Sequence, residues 1–408
     1  RSVTSAPRVW LLMGNRAGDN SQVLGLGEAL GWPLEEKHFV YRGFEKIVNL
    51  PFGGHLLGID RAASSPLESP WPDVVISAGR KNEPIARYIK RRAAREHPER
   101  PPVRLIHVGR PWAALETWDL VVTTPQYRLP ALHNVVHNET PLHRVTRERL
   151  EDAARGWRDR AADLPRPLIA VLAGGNSGPY PFDRASGERL ACQADALARE
   201  LGGSLLVTTS ARTLDETTDA LFGGISSPNI LYRWKKDDPD NPFFAFLGLA
   251  DRVIVTADSV SMMTEACATG RPVYLYDTGE GRTSMKENPW LDGLAANEDD
   301  AGFKLSRWHL KAWIYRLTMR LGPQRLTRDI RIVQQLLVES GRAVWLGDGH
   351  PAAEPPPLED LPRAVRRVRA LIEPPPDSKP SDPQRETPQP PTAHARKRGD
   401  LAAPATRS

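Results

Sequence analysis

The chain has 408 residues, room for two globular domains and a further segment at about 100–200 residues per domain. Its formal net charge is +5, and it carries 38 prolines and two cysteines, Cys192 and Cys267. That balance permits attraction to anions without choosing among nucleotides, membranes and nucleic acid. Two cysteines exclude a disulfide framework, and no apolar run approaches the ~18 residues of a membrane span.

The apolar run Val9–Met13 predicts a strand ending in Gly14. The polar stretch 15–22 predicts a turn, after which Val23, Leu24, Leu26, Ala29 and Leu30 recur at helical spacing until Gly31 closes the helix. This unit of strand, glycine loop and helix then repeats. Residues 73–77 read as a strand running to Gly79, 84–95 as a helix, 103–108 as a strand ending in Gly109, and 120–123 as a strand leading into Thr124-Pro125. The charged stretch 142–162 predicts a helix leading out of this sheet, broken by the prolines of 164–167. A second series follows, with strands at 168–172, 204–208, 229–232, 252–256 and 273–276 and helices at 186–201, 242–248 and 260–269.

Strands alternating with helices predict right-handed βαβ units. The expected fold is therefore α/β and GT-B-like, with two Rossmann-like domains whose parallel sheets face a cleft. The expected divisions are an N-terminal, acceptor-side domain over 1–150 and a C-terminal, donor-side domain over 151–320. Apolar residues at helical spacing across 304–339 predict helices, and those of 321–347 are expected to cross back onto the first domain. After Pro351 the chain is rich in proline and arginine and nearly without apolar periodicity, so 351–408 is expected to be a disordered tail, with a helical turn or two within 361–372.

Ligands of open parallel sheets bind beyond the carboxyl ends of the strands, which directs attention to the loops. The stretch 256–273 reads as strand, polar turn, helix and strand. Ser259 or Ser261 is an N-cap candidate there, and the helix start, with Asp258 and Met262, is a seat for a diphosphate. Glu265, about a turn further on, is placed to accept both hydroxyls of a ribose; ordinary capping and an exposed glutamate would explain the same residues. Gly174, Gly175 and Asn176 follow the first strand of this series, where paired glycines let a backbone approach phosphate or sugar. Ser210 and Arg212 follow the next strand and offer a hydroxyl and a guanidinium to phosphate oxygens. Asn241 precedes a helix and is a candidate contact to base or sugar.

In the first domain, 14–22 lacks the G-x-G-x-x-G spacing of a dinucleotide site, which counts against an NAD-dependent epimerase. Asp19 is the carboxylate best placed to take a proton from an acceptor hydroxyl, although an aspartate at a helix start is often only a cap. Gly18, Asn20 and Gln22 share its loop. Arg80 and Lys81 follow Gly79 and could hold an anionic acceptor or donor phosphates, and Gln126 lies at another strand end. No cofactor or metal is expected: Asp238-Pro239-Asp240 reads as a solvated turn, and His133 and His137 are separated by residues that favour extended chain.

As a set, these residues resemble the family named for mitochondrial fission in plants, the ELM type, whose bacterial members are described as glycosyltransferases. The matching pieces are the 18–22 loop, Gly79-Arg80, Thr124-Pro125-Gln126 with Asn134-Val135, Gly174-Gly175, 210–213, Asn241-Pro242, the 258–262 turn with Glu265-Ala266, and Gly341-Arg342-Ala343. The resemblance runs from about residue 8 to 347 and departs at Glu83 and in the loop 235–240. It implies a GT-B fold and transfer of a sugar from a nucleotide-diphosphate donor to lipopolysaccharide core, another envelope glycan or a lipid-linked acceptor. It also implies a cytoplasmic protein, with peripheral contact to an anionic inner membrane as one option and no specific nucleic-acid partner. The competing expectation is a non-catalytic scaffold that kept the fold and is recruited through its basic tail.

Overall fold

Strands buried on both faces must be apolar throughout, and the chain's two sheets are assembled from such runs. The structure is a computed structural model that describes residues 6–42, 54–178, 180–280, 284–286 and 328–373. The first half runs β1 (Val9–Met13), α1 (Ala17–Leu30), β2 (Leu34–His38), β3 (Val40–Tyr41), β4 (Ile59–Asp60), β5 (Val74–Ala78), α2 (Glu83–Glu96), β6 (Arg104–Val108), β7 (Leu120–Thr123) and β8 (Val135–His137). The second half runs α3 (Arg147–Arg155), β9 (Leu168–Leu172), α4 (Arg184–Leu201), β10 (Ser204–Thr208), α5 (Asp215–Gly223), β11 (Asn229–Tyr232), α6 (Phe243–Leu249), β12 (Arg252–Thr256), α7 (Val260–Ala268), β13 (Val273–Tyr276), α8 (Arg331–Glu339), β14 (Val344–Trp345) and α9 (Asp360–Ile372).

Two six-stranded parallel sheets result, with strand orders β2-β1-β5-β6-β7-β8 and β11-β10-β9-β12-β13-β14, beside a short antiparallel pair of β3 and β4. The fold is thus the expected GT-B-like pair of Rossmann-like α/β domains. Every residue of β1, β5, β9 and β10 is buried. Trp10 and Trp71 pack at 5.6 Å between ring centroids in the first core, and Phe182 and Tyr276 at 6.4 Å in the second.

Several expectations change. The stretch 18–22 is not a loop but the first turns of α1, because orphan amides at a helix start tolerate Gly, Asp, Asn and Ser. The single helix expected over 142–162 begins only at Arg147, where Thr146 Oγ1 accepts the Arg149 amide at 3.2 Å. Leu142 packs in the first core and Val145 in the second, so the cores meet a few residues before the boundary expected at 150. Most of the helical stretch expected over 304–339 lies outside the described residues. Its described end, α8, buries Val333 and Leu337 in the second core, while the residues that lead into it touch the first domain, where the Asp329 amide donates to Gln126 O at 3.1 Å and Arg128 pairs with Asp329 at 3.3 Å.

A further element, α9, lies within the segment expected to be disordered and crosses back onto the first domain. Its apolar residues Leu361, Ala364, Val365, Val368, Leu371 and Ile372 recur at helical spacing and pack into the first core beside α1. The fully buried end of Asp360 fixes the helix start by accepting the Glu139 amide at 2.9 Å, the Thr140 amide at 2.9 Å and the Thr140 hydroxyl at 2.7 Å. At the other end Arg369 donates to Leu30 O at 2.8 Å, a cation at the carboxyl end of α1. Val368 is fully buried, so Val368→Asp is expected to cost about 3 kcal/mol or more in urea denaturation. Arg366→Ala, on the exposed face, should leave the midpoint nearly unchanged.

Candidate functional site

Strand order reverses between β1 and β5 in the first sheet and between β9 and β12 in the second. Such reversals splay the neighbouring crossovers to opposite faces and open a crevice at the carboxyl ends of the strands. Both crevices hold candidate residues.

In the first, Asn20 clamps the turn after β1, accepting the Gly14 amide at 2.7 Å and donating to Gly14 O at 2.9 Å. Asn82 joins the two strand ends by donating to Leu12 O at 2.9 Å and Ala78 O at 3.3 Å, while the Tyr41 hydroxyl donates to its Oδ1 at 2.5 Å. Gly79 has a φ of +72°, and a Cβ there would lie 2.8 Å from Asp19 Oδ2. A glycine therefore serves both the turn and the carboxylate beside it. Asp19 sits in the first turn of α1, where burial raises its pKa against the opposing effects of Arg16 and Arg328.

Beside Asp19 a cavity of about 560 Å³ opens, lined also by Arg16, Gln22, Tyr41, Arg80, Lys81, Arg110, Trp112 and Tyr127. Arg80 lies 4.8 Å over the Trp112 ring, Lys81 4.9 Å over Tyr41 and Arg110 5.6 Å over Tyr127. Asn20 thus braces the turn after β1. Gln22 donates to Gly18 O at 3.4 Å. Gln126 is buried at the seam, where it donates to Thr124 Oγ1 at 2.9 Å and accepts from Arg328 Nε at 2.7 Å. Arg16, Tyr41, Asn82, Arg110, Trp112 and Tyr127 were missed by the sequence reading, although Arg110 follows a strand and a glycine just as Arg80 does.

In the second crevice Asp258 ties three loops together. It accepts the Gly175 amide at 3.1 Å, the Thr256 hydroxyl at 2.6 Å and the Arg212 guanidinium at 3.0 Å, with its side chain fully buried. Burial pushes its pKa up, and Arg212 is the largest effect opposing that. Gly174 is required here, since a Cβ would fall 2.3 Å from Asp258 Oδ1. Ser210 donates to Gly174 O at 2.7 Å, and Arg212 donates to Asn176 O at 3.2 Å while keeping its guanidinium part-exposed. Asn176 accepts the Phe182 amide at 2.9 Å, and its buried Nδ2 has no partner among the described residues. Asn241 accepts the Phe243 amide at 3.1 Å and so starts α6. Asp258 and Ser210 therefore build the loop cluster from within, and Arg212 is the member that still reaches its surface.

Ser259 is the N-cap residue of α7, but its side chain makes no capping bond, nor does the N-cap residue of α1, Arg16. The two helix starts meet: a Cβ on Gly18 would lie 3.6 Å from Ser261 Oγ. Met262, next in the turn, packs partly against the second core. One turn on, Glu265 is buried, contrary to the exposed alternative. Burial pushes its carboxyl up to about 7, with Arg144 as the opposing charge.

The family model described as mitochondrial fission ELM1 matches residues 17–299, well over half of the chain. The chain belongs to this ELM1 family. Mitochondrial fission protein ELM1 of Arabidopsis thaliana is 29% identical over 273 residues, which are 59% of this chain and 62% of the plant protein. The match thus spans less than two thirds of that relative. The uncharacterized protein RP120 of Rickettsia prowazekii is 20% identical over 305 residues, 66% of this chain and 82% of its own.

Among solved structures, similarity extends to a glycosyltransferase of Rickettsia africae, with 10% identity, a TM-score of 0.41, and 90% of this chain and 98% of that one covered. It extends also to MurG of Acinetobacter baumannii, with 12% identity, a TM-score of 0.36, and 90% and 99% covered. The UDP-N-acetylglucosamine 2-epimerase of Rickettsia bellii has 11% identity, a TM-score of 0.39, and 90% and 99% covered. Likenesses at this level bear on neither donor nor reaction in the ELM1-family chain, whose two-sheet, glycosyltransferase-like fold stands on its own strand order. Among its described residues no helix is long and apolar enough to cross a membrane.

The Glu265 carboxyl holds its proton more tightly in the fold, at about 7, than at its ordinary 4.5. Stability from this group is therefore greatest below pH 4.5, declines as pH rises towards 7, and stays reduced above it. Glu265→Gln is expected to match the parent protein at pH 4 and to be more stable by up to about 3 kcal/mol at pH 8, read from denaturation midpoints.

Proposed function

We propose that the chain is a glycosyltransferase that takes a sugar from a nucleoside-diphosphate donor, with the donor on the second domain and the acceptor on the first. The observation that carries this reading is the meeting of two helix starts, α1 and α7, neither capped by its N-cap side chain, at Gly18 and Ser261. Unsatisfied amides and aligned peptide dipoles give each start a partial positive charge, and together they favour an anion of diphosphate size between them. Arg212 adds a guanidinium at the surface of the neighbouring loops, so helix amides and arginine rather than a metal take up the diphosphate charge. Glu265 accepts from the ribose hydroxyls, which repays its otherwise costly burial.

Asp19 acts as the general base. It takes the proton of an acceptor hydroxyl as that oxygen bonds to the anomeric carbon, and the bond from that carbon to the diphosphate oxygen breaks to release the nucleoside diphosphate. Its raised pKa suits the task and sets a sign: activity falls as acidity protonates it, with the acid limb above the ordinary aspartate value of 3.8.

Calorimetric titration with UDP, GDP and ADP is expected to give binding by at least one of them. Ser261→Asp, which puts a negative charge where the diphosphate sits, should weaken it at least about tenfold while leaving the melting temperature unchanged or higher. Asp19→Asn should keep nucleotide affinity and lose turnover. If no nucleotide binds the intact chain, the transferase reading is lost.

A second reading, peripheral membrane contact, is favoured by a different surface. A larger groove of about 720 Å³, beside β3 and β4, is lined by Arg42, Arg61, Arg91, Arg92 and Arg95 with Leu57, which is 69% exposed. Arginines around an exposed leucine suit an anionic headgroup layer. Flotation with phosphatidylglycerol vesicles should recover the chain, and Arg91→Glu with Arg95→Glu should abolish recovery; equal recovery on neutral vesicles would remove this reading.

A further inference from the structure

The segment that leads into α8 touches both halves of the protein at their seam. On one side the Asp329 amide donates to Gln126 O at 3.1 Å, and Arg128 pairs with Asp329 at 3.3 Å. Arg331 holds the same carboxylate, its Nη2 at 2.9 Å and its Nε at 3.0 Å. On the other side, in the first turn of α8, the buried Gln334 donates to Ala257 O at 2.6 Å, within the turn that precedes α7. Residues 328–334 therefore run from the rim of the first-domain cavity to the start of α7. Arg328 stands at the cavity end of this run.

Arg328 is oriented without being neutralised. Its Nε donates to Gln126 Oε1 at 2.7 Å, and its guanidinium lies 5.9 Å over the ring of Tyr127, a residue of the cavity wall. Both partners are uncharged, and among the described residues Arg328 has no ion pair. Arg16 is a second such cation. It immediately precedes α1, lines the cavity, and its side chain makes no hydrogen bond or ion pair among the described residues. Both arginines act on Asp19 and neither is in contact with it, so two guanidinium charges stand against one carboxylate. The balance differs beside α7, where Arg212 is paired at 3.0 Å with the buried Asp258 carboxylate. Of these three arginines, the two without an ion pair are therefore on the α1 side of the seam.

We propose that Arg328 and Arg16 grip the terminal phosphoryl group of a nucleoside diphosphate, while the phosphoryl group next to the nucleoside rests at α7 and Arg212. The pair thereby sets a preference for diphosphate over monophosphate. This assignment rests on the transferase reading above and deepens it by giving the two ends of the diphosphate to different halves of the protein. A guanidinium presents parallel donors to phosphate oxygens, and one whose Nε is already fixed loses less freedom on binding. The same contact serves the reaction. As the bond from the anomeric carbon breaks, its electron pair passes to the oxygen of the terminal phosphoryl group, and the negative charge that grows there lies beside both cations. A monophosphate seated at α7 reaches neither of them.

The test is calorimetric titration of the full chain with UDP and UMP, GDP and GMP, and ADP and AMP. For any base that binds, the diphosphate is expected to bind at least about tenfold more tightly than the monophosphate. Arg328→Gln can still donate to Gln126, and Arg16→Gln removes a side chain that holds no other described part of the fold. Each should weaken diphosphate binding at least about fivefold and change monophosphate binding less than about twofold. Arg328→Lys with Arg16→Lys keeps both charges and should retain a preference of at least about threefold. Arg16→Gln carries the test by itself should Arg328→Gln fail to fold. A monophosphate bound as tightly as its diphosphate would overturn the proposal. So would an equal loss of both ligands in the glutamine variants, the mark of arginines that only seat the segment before α8. Either outcome leaves the transferase reading standing, whereas a chain that binds no nucleotide removes that reading and this assignment together.

Discussion

Two like partial charges held face to face need something between them. The starts of α1 and α7 come together at Gly18 and Ser261 without a capping side chain on either N-cap residue, and they lie at the reversal points of the two sheets. Strand order fixes where these helices begin, and the absence of side-chain volume at Gly18 fixes how close they come. A capped helix start would be more stable in isolation, by about 1 kcal/mol for a good cap. Among the described residues neither N-cap side chain closes its helix end at the place where the halves adjoin. Asp19 supplies one compensating negative charge within the first turn of α1, and its buried carboxyl is correspondingly hard to ionise.

Around this seam the polar residues divide into those that hold the loops and those that face outward. Asp258 takes three donors from three loops, and Asn20, Asn82 and Ser210 fasten turns to strand ends, so these groups are used up in construction. Arg80, Lys81 and Arg110 line the first-domain cavity, and Arg212 keeps part of its guanidinium exposed. The bracing bears on Arg212 in particular. A guanidinium on a loop pinned by buried hydrogen bonds samples fewer positions than one on a free loop, and its interaction with an anion loses less to ordering.

Burial explains which parts of this arrangement were legible in the sequence. Strands flanked on both sides, such as β1, β9, β10 and β12, are continuous apolar runs and stand out. The edge strands β2, β8 and β14 were not recognised as strands: Leu34–His38 buries only Lys37, and Val344–Trp345 is half-buried. Helix α9 was underestimated because prolines and arginines surround it, although Leu361, Ala364, Val365 and Val368 carry the helical spacing in plain view. At the site, residues adjoining a strand end and a glycine were found, including Asp19, Arg80 and Gly174. Tyr41, Trp112 and Tyr127 were not, because nothing in their local sequence says that distant loops converge on one cavity. The division of labour between Asp258 and Arg212 was equally hidden, since an aspartate beside a helix start looks the same whether it faces ligand or neighbouring loops.

The return of α9 to the first core has a mechanical consequence. Among the described residues the polypeptide passes between the two cores once at 142–145 and again between β14 and α9, at 346–359, with both ends of each passage anchored in packed structure. Two separate tethers leave the halves much less freedom to swivel or translate than one would. Relative motion of the halves is thus restrained at two places along the chain rather than at one.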